Sequence, residues 1–268
     1  MFTRICAFLL ALAIPVLFLG CGGDNGDSGT LHVSVTDAKP MLPSGTEHVL
    51  ITFEEVRVHK AGGDWISLPL VQSPYTIDLL QFSDGATTSL VPPVQLESGK
   101  YTQIRIVVTS ASILFSGDPN PHEVEVPSGK LRTDKNFDFD VASGTAVDLT
   151  VDFDLSRSIV VTGSDRYKLK PVLHINETHA AATISGTIGP AFGDSTEAIV
   201  TVTSGSEPYT QIVVTKPDPL PPEGVEFRIF WLVANQSYTV TVGVYTEAVN
   251  ATDLGPGADF VLNGGDPI

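Results

Sequence analysis

Cysteine is nearly missing: 268 residues contain two, Cys6 and Cys21, both within the first two dozen positions. Whatever folds beyond them does so without a disulfide, which a core of this size does not need. Basic residues are scarce as well, 15 Lys and Arg against 31 Asp and Glu, for a formal charge of -16. A surface of that sign repels phosphate backbones and excludes nucleic acid as a partner. No Gly-x-Ser-x-Gly elbow occurs, so the usual signature of a strained serine nucleophile is absent. No His-x-x-x-His pair occurs either, and with no thiol after Cys21 the common zinc ligand sets are missing. The apolar run from Ile5 to Gly20 falls short of the roughly 18 to 20 residues that a permanent membrane helix needs.

What is present begins with a leader. Arg4 precedes the apolar run, and the polar series Gly22-Gly23-Asp24-Asn25-Gly26-Asp27 ends it abruptly, which is the anatomy of an export signal. Two cleavage sites compete. Cutting after Ala11-Leu12-Ala13 would leave Ile14 to Leu19 as an apolar tail in water, which is unfavourable. Leu19-Gly20-Cys21 resembles the lipobox of bacterial lipoproteins, with Phe18 where that pattern prefers Leu. The resemblance implies a signal peptide over 1–20, a diacylglycerol thioether on Cys21, and a membrane anchor in place of a span. Residues 21–29 then read as a flexible tether. Gly22, where inner-membrane lipoproteins carry Asp, implies the outer membrane if the cell is diderm.

Beyond the tether, with 42% hydrophobic and 17% charged residues, the composition is globular and the dominant pattern is period two. Leu31, Val33 and Val35 alternate with polar neighbours, as do Val49, Ile51 and Phe53, then Val56 and Val58. The same holds for Ile104, Ile106 and Val108, for Phe137, Phe139 and Val141, and for Val147, Leu149, Val151, Phe153 and Leu155. Ile77 to Phe82 is compatible with one helical turn. Thr183 to Ile188 opens a second series, followed by Ala198 to Val202, Val225 to Val233 and Tyr238 to Val244, with the Pro-rich Lys216 to Pro222 as a loop. The expectation is an all-β chain of two mostly antiparallel β-sandwich domains, immunoglobulin- or prealbumin-like, over 30–178 and 182–268.

Several segments carry a resemblance: Gly29-Thr30-Leu31-His32-Val33-Ser34-Val35-Thr36-Asp37-Ala38, Val56-Arg57-Val58-His59 before Trp65, Gly99-Lys100-Tyr101-Thr102-Gln103-Ile104-Arg105, Asp152-Phe153-Asp154 and Leu169-Lys170-Pro171-Val172. In order, they resemble a bacterial domain of unknown function, numbered four-three-eight-two, over about residues 29 to 176. That resemblance implies a lipoprotein setting and no established activity. The later part resembles carboxypeptidase-regulatory-like domains through Ile184-Ser185-Gly186-Thr187-Ile188, Phe227-Arg228-Ile229 and Ser237-Tyr238-Thr239-Val240-Thr241-Val242. Ala234-Asn235-Gln236 departs from their Gly-containing turn.

One constellation invites chemistry. A hairpin around Gly144 that pairs Val141 with Val147 would place Asp140 opposite Asp148 and Asp134 opposite Asp154, with Asp138, Asn136 and Asp152 between them, on one outer face. Calcium, a hard cation with oxygen ligands, is one candidate to neutralise that face, and Lys168 and Lys170 are the other. Trp65 follows Gly62-Gly63-Asp64 and is a candidate sugar-stacking platform, whereas Trp231 continues the inward series Val225, Phe227 and Ile229 and reads as core. His32 and His59 read as solvent-facing strand positions. The functional expectation is a non-enzymatic, lipid-anchored envelope protein that binds or assembles with an envelope protein or polysaccharide. A carbohydrate-binding lipoprotein and a hydrolase built from residues distant in sequence are the alternatives.

Overall fold

A computed structural model describes residues 27–263 except 39, 163–165, 190–196, 206, 216, 218, 220, 247–248 and 254–259. The leader, Cys21 and most of the tether lie outside the described residues.

The alternating segments become strands. In chain order they are β1 (Ser28–Thr36), β2 (Thr46–Lys60), β3 (Trp65–Leu68), β4 (Tyr75–Asp78), β5 (Thr88–Glu97), β6 (Gly99–Phe115), β7 (His122–Glu125), β8 (Leu131–Val141), β9 (Ala146–Phe153), β10 (Ile159–Thr162), β11 (Arg166–Leu169) and β12 (Leu173–Glu177). Then follow β13 (Ala181–Ile188), β14 (Glu197–Ser204), β15 (Glu207–Thr215), β16 (Val225–Val233), β17 (Thr239–Thr246), β18 (Val249–Asp253) and β19 (Phe260–Asn263). A 3-10 turn covers Leu79–Phe82, and one helical turn, α1 (Leu155–Ser158), follows β9. The chain is all-β, in several mostly antiparallel sheets.

The first twelve strands form a four-stranded sheet, ordered β12-β9-β1-β5, and a larger one, ordered β10-β11-β7-β6-β2-β3, with β4 also on β2 and β8 on β6. The later strands form β16-β13-β19 and β15-β14-β17-β18. Pairing is antiparallel except for β1 with β9 and β7 with β11.

Period two decides what goes inside. On β2 the inward series changes phase, from Val49, Ile51 and Phe53 to Val56 and Val58, and all five are fully buried. The ladder to β6 absorbs the change with register shifts around Phe53 and Glu55, where Thr109 on β6 and Glu54 on β2 are each an extra residue, so both halves keep facing the core. Phe53 meets Phe153 edge to face at 6.1 Å, and Tyr101 stacks on Phe139 at 5.1 Å. Each such burial contributes about 1.5–3 kcal/mol. A second, separate cluster of Ile188, Val200, Val202, Phe227, Leu232 and Val242 fills the later sheets.

The hairpin expected around Gly144 does not form. Val141 pairs with Gly99 and Phe139 with Tyr101 on β6, while β9 lies between β1 and β12 in the facing sheet. Gly144, at φ 71°, lies in an arch that carries the chain from one sheet to the other. Both strands keep their inward residues because alternation sets the face of a strand and not its neighbour.

Trp231 is buried, as its apolar context implies, but not on the face that strict alternation gives it. Between β13 and β16 the register moves from Ala182–Leu232 to Ile184–Ile229, which leaves an extra residue on β16. Trp231 takes φ 62° in this bulge, and Leu232 replaces it in the inward series. Trp231 is buried all the same, turned toward the four-stranded sheet, where its carbonyl accepts from Asn176 Nδ2.

Candidate functional site

Three carboxyl groups converge where β1 and β9 end. Asp37 follows β1, Asp152 sits beside Thr36 in the parallel β1–β9 pair, and Asp154 follows β9. They are 1%, 3% and 1% exposed. Each has one anchored oxygen and one free. Asp37 Oδ1 accepts from the Leu155 N–H at 3.0 Å, and Asp154 Oδ1 caps α1 by accepting from the Arg157 N–H at 3.2 Å. Asp152 accepts from the Ala38 N–H. Asp37 Oδ2, Asp152 Oδ1 and Asp154 Oδ2 are buried without a hydrogen-bond partner.

The lid over this cluster comes from the later strands. His174, on β12, stacks on Tyr209 of β15 at 4.1 Å. Arg157 donates to the Pro208 carbonyl at 2.7 Å and to the Tyr209 carbonyl at 3.3 Å. The Thr36 hydroxyl donates to Phe82 O and Ala86 O, pinning the loop that places Gly85 against the Phe230 ring. Between these contacts lies a cavity of about 10 Å³ bordered by Asp37, Asp84, Asp152, Arg228, Phe230 and Trp231. That is room for about one water molecule. Trp231 Nε1 is buried beside it without an acceptor.

Burial dominates the electrostatics. It pushes Asp152 up to about 8 and Asp154 up to about 6, and raises Asp37 well above the usual carboxylate range, with mutual repulsion adding to the burial of Asp37 and Asp152. The same burial lowers His174 to about 4. Near neutrality the seam therefore holds a protonated Asp152 and an uncharged imidazole, with Asp154 largely ionised beside Arg157. An indole N–H beside carboxyl oxygens suits a bridging water, and among the described residues no three His, Cys, Asp or Glu side chains are grouped to hold a metal ion.

The expected acidic face does not exist as one surface. Asp138 is exposed and pairs with Lys100 at 2.7 Å, and Asp140 is exposed opposite Lys100 on β6. Asp148 lies in the other sheet, 3.1 Å from His32. Asp152 and Asp154 alone meet, in the seam, joined there by Asp37. The sequence did not single out Asp37, which lies more than a hundred positions away and follows a strand of ordinary alternation. Lys168 faces Glu125 at 3.6 Å. Trp65 is half-buried, its ring covered by the Arg105 guanidinium at 4.1 Å and flanked by His59 at 5.2 Å.

A second arrangement was not legible in the sequence. His32 Nε2 lies 3.0 Å from Ser89 Oγ, and its Nδ1 lies 3.1 Å from Asp148 Oδ1. Three neighbouring strands, β5, β1 and β9, bring these residues together from positions up to 116 apart. The order Ser, His, Asp and the choice of ring nitrogens are those of a serine nucleophile with its base and orienting carboxylate. The surroundings are an open sheet surface, with Asp148 55% exposed, and the Ser89 hydroxyl donates to Val91 O at 3.3 Å.

Among the described residues, no helix is long and apolar enough to cross a membrane. A family model described as Domain of unknown function (DUF4382) matches residues 28–171. No curated protein and no solved structure matches the chain.

Proposed function

Because this chain belongs to the DUF4382 family of domains of unknown function, we propose a role from its own residues: a lipid-anchored cell-envelope protein, held through Cys21, whose β-sandwich units bind or assemble with other envelope components without catalysis. The observation that carries this reading is Leu19-Gly20-Cys21 directly after an apolar run and directly before a Gly- and Asp-rich tether. Two or three acyl chains, at about 0.8 kcal/mol per buried methylene, make release from the membrane negligible. The cavity of about 10 Å³ beside the carboxyl cluster admits no substrate, and the adjoining cleft of about 400 Å³, lined by Asp84, Ile212, Phe227, Arg228 and Phe230, has the room that a binding role needs. In this reading the loops and exposed sheet surfaces meet an envelope protein or polysaccharide, and the later strands serve as a carboxypeptidase-regulatory-like module.

Metabolic labelling with an alkyne fatty acid tests the anchor. The wild-type chain incorporates label and stays with membranes, and Cys21→Ser loses both. An unlabelled wild-type chain overturns the reading.

A second reading has one specific observation in its favour. The Ser89–His32–Asp148 chain of contacts supplies a nucleophile, a base and its orienter for acyl transfer. The open sheet surface around it weighs on the other side, because acyl transfer depends on donors fixed around the developing oxyanion.

A further inference from the structure

The buried carboxyls lie at a junction, and that placement gives them a use. The N-terminal and C-terminal sheets each have their own apolar cluster. What joins them at the seam includes His174 on Tyr209, Arg157 on two carbonyls, Asn176 on the Trp231 carbonyl, Phe230 over Gly85, and Ala38 against the C-terminal cluster. We propose that this seam is a proton-operated latch: the C-terminal sheets stay seated on the four-stranded sheet while Asp37 and Asp152 hold protons, and ionisation of the pair releases them.

Three observations support the latch. The first is geometric: Asp37 Oδ2, Asp152 Oδ1 and Asp154 Oδ2 are buried and unpartnered, and the cavity bordered by Asp37 and Asp152 admits about one water. Charging two such groups together leaves like charges in a medium that screens them poorly.

The second is where the counter-charge goes: Arg157 acts on Asp154, whereas the charges acting on Asp37 and Asp152 are those of neighbouring carboxylates. The groups around the cluster are Arg157 on α1, His174 on β12, Tyr209 on β15, Arg228 on β16, Tyr238 just before β17, Lys135 on β8 and Asp84 in the loop before β5. Arg157 spends Nη1 on carbonyls of β15, and Arg228 is exposed at the cavity's outer end. Lys135 acts on His174, and burial keeps both tyrosines protonated and His174 neutral. Protons are therefore the neutralising species that the seam can accommodate. Burial sets their loss at about 8 for Asp152, above neutrality, and at about 6 for Asp154, below it.

The third is mechanical. The two apolar clusters are distinct, and Ala38 packs against the second from the N-terminal side, so parting the seam costs that small apolar contact and leaves the buried members of both clusters together. The weak element yields first, as local opening generally does.

The test uses the full chain in detergent with Trp65→Phe, which leaves Trp231 as the sole tryptophan because the sequence has two. Raising the pH from 5 to 9 should shift Trp231 emission to the red, reversibly, with far-UV circular dichroism unchanged. Adding Asp37→Asn and Asp152→Asn should hold the emission blue across the range. Flat emission in the Trp65→Phe chain overturns the latch, as does an unaltered transition in the double Asn variant. Should the double variant lose its β signal, Asp152→Asn alone decides: a displaced midpoint supports the latch, and an unmoved one ends it. Calcium added at pH 9 is the remaining arm. Restored blue emission would make the seam a cation site and overturn the proton latch, whereas continued red emission supports it.

Discussion

Asp152 and His174 are direct partners across the antiparallel β9–β12 ladder, yet Asp152 Oδ1 and His174 Nε2 both lack a hydrogen-bond partner. An acid and a base this close would form an ion pair in water. In the closed seam, desolvating both charges costs more than their attraction returns, so burial drives them to opposite ends, about 8 for the acid and about 4 for the imidazole.

Stability should therefore depend on pH with a definite sign. From about 4 to about 8 the folded Asp152 keeps a proton that the unfolded chain has lost, so its contribution falls as pH rises through that window. His174 acts oppositely: neutral when folded down to about 4, it destabilises as pH drops below the ordinary imidazole value of 6.5. The two oppose each other between about 4 and 6.5, and from 6.5 to 8 the acids act alone. Calorimetry should show the melting temperature falling from pH 6.5 to 8, with a smaller fall in Asp152→Asn. A rising melting temperature over that interval would contradict the assignment.

Gly29 should be intolerant of any side chain. A Cβ there would lie 2.5 Å from the Ala142 carbonyl oxygen and 2.8 Å from that of Thr145, both backbone atoms that cannot swing aside. Gly29→Ala should cost about 1–3 kcal/mol by overpacking. Gly63→Ala, whose nearest contact would be 3.5 Å, should melt close to wild type, and denaturant titration of the pair distinguishes crowding from a general glycine effect.

Phe153→Ala removes a fully buried ring from its edge-to-face contact with Phe53 and should cost about 3–5 kcal/mol. Chemical denaturation measures it. A loss below 1 kcal/mol would mean that the two N-terminal sheets are not packed through this pair.

Ser89 offers a direct check on the absence of catalysis. A fluorophosphonate probe, which captures activated serines, should leave the wild-type chain unlabelled. Labelling that disappears in Ser89→Ala and in His32→Ala would favour the hydrolase reading over the binding one.

Much of the fold was legible because period two is a local property. Leu31, Val33 and Val35, or Val147, Leu149, Val151 and Phe153, point inward in the structure as their alternation implied. The helical turn near Leu79–Phe82 was equally visible. The partner of β9 was not, since the same inward series serves a hairpin with β8 or a parallel neighbour in β1 equally well. The burial of Trp231 was legible and its facing was not, for a related reason: a bulge inserts one residue and reverses every facing after it, and no residue type at Phe230 or Trp231 announces it.

The candidate site was legible in fragments. Asp152-Phe153-Asp154 stood out as acidic positions that needed neutralising, but alternation put Asp152 on the outside, where water would do so.

By itself the chain's order of residues determined which side of each strand is greasy, that no disulfide braces the fold, and that an apolar leader meets a cysteine. Tertiary structure alone decided that the outer surface of β9 is roofed by Tyr209 and Trp231, turning a solvent-facing aspartate into a buried one. The reason is that alternation is written in neighbouring residues, whereas covering a sheet's outer surface requires segments some sixty to eighty positions away to come to rest on it.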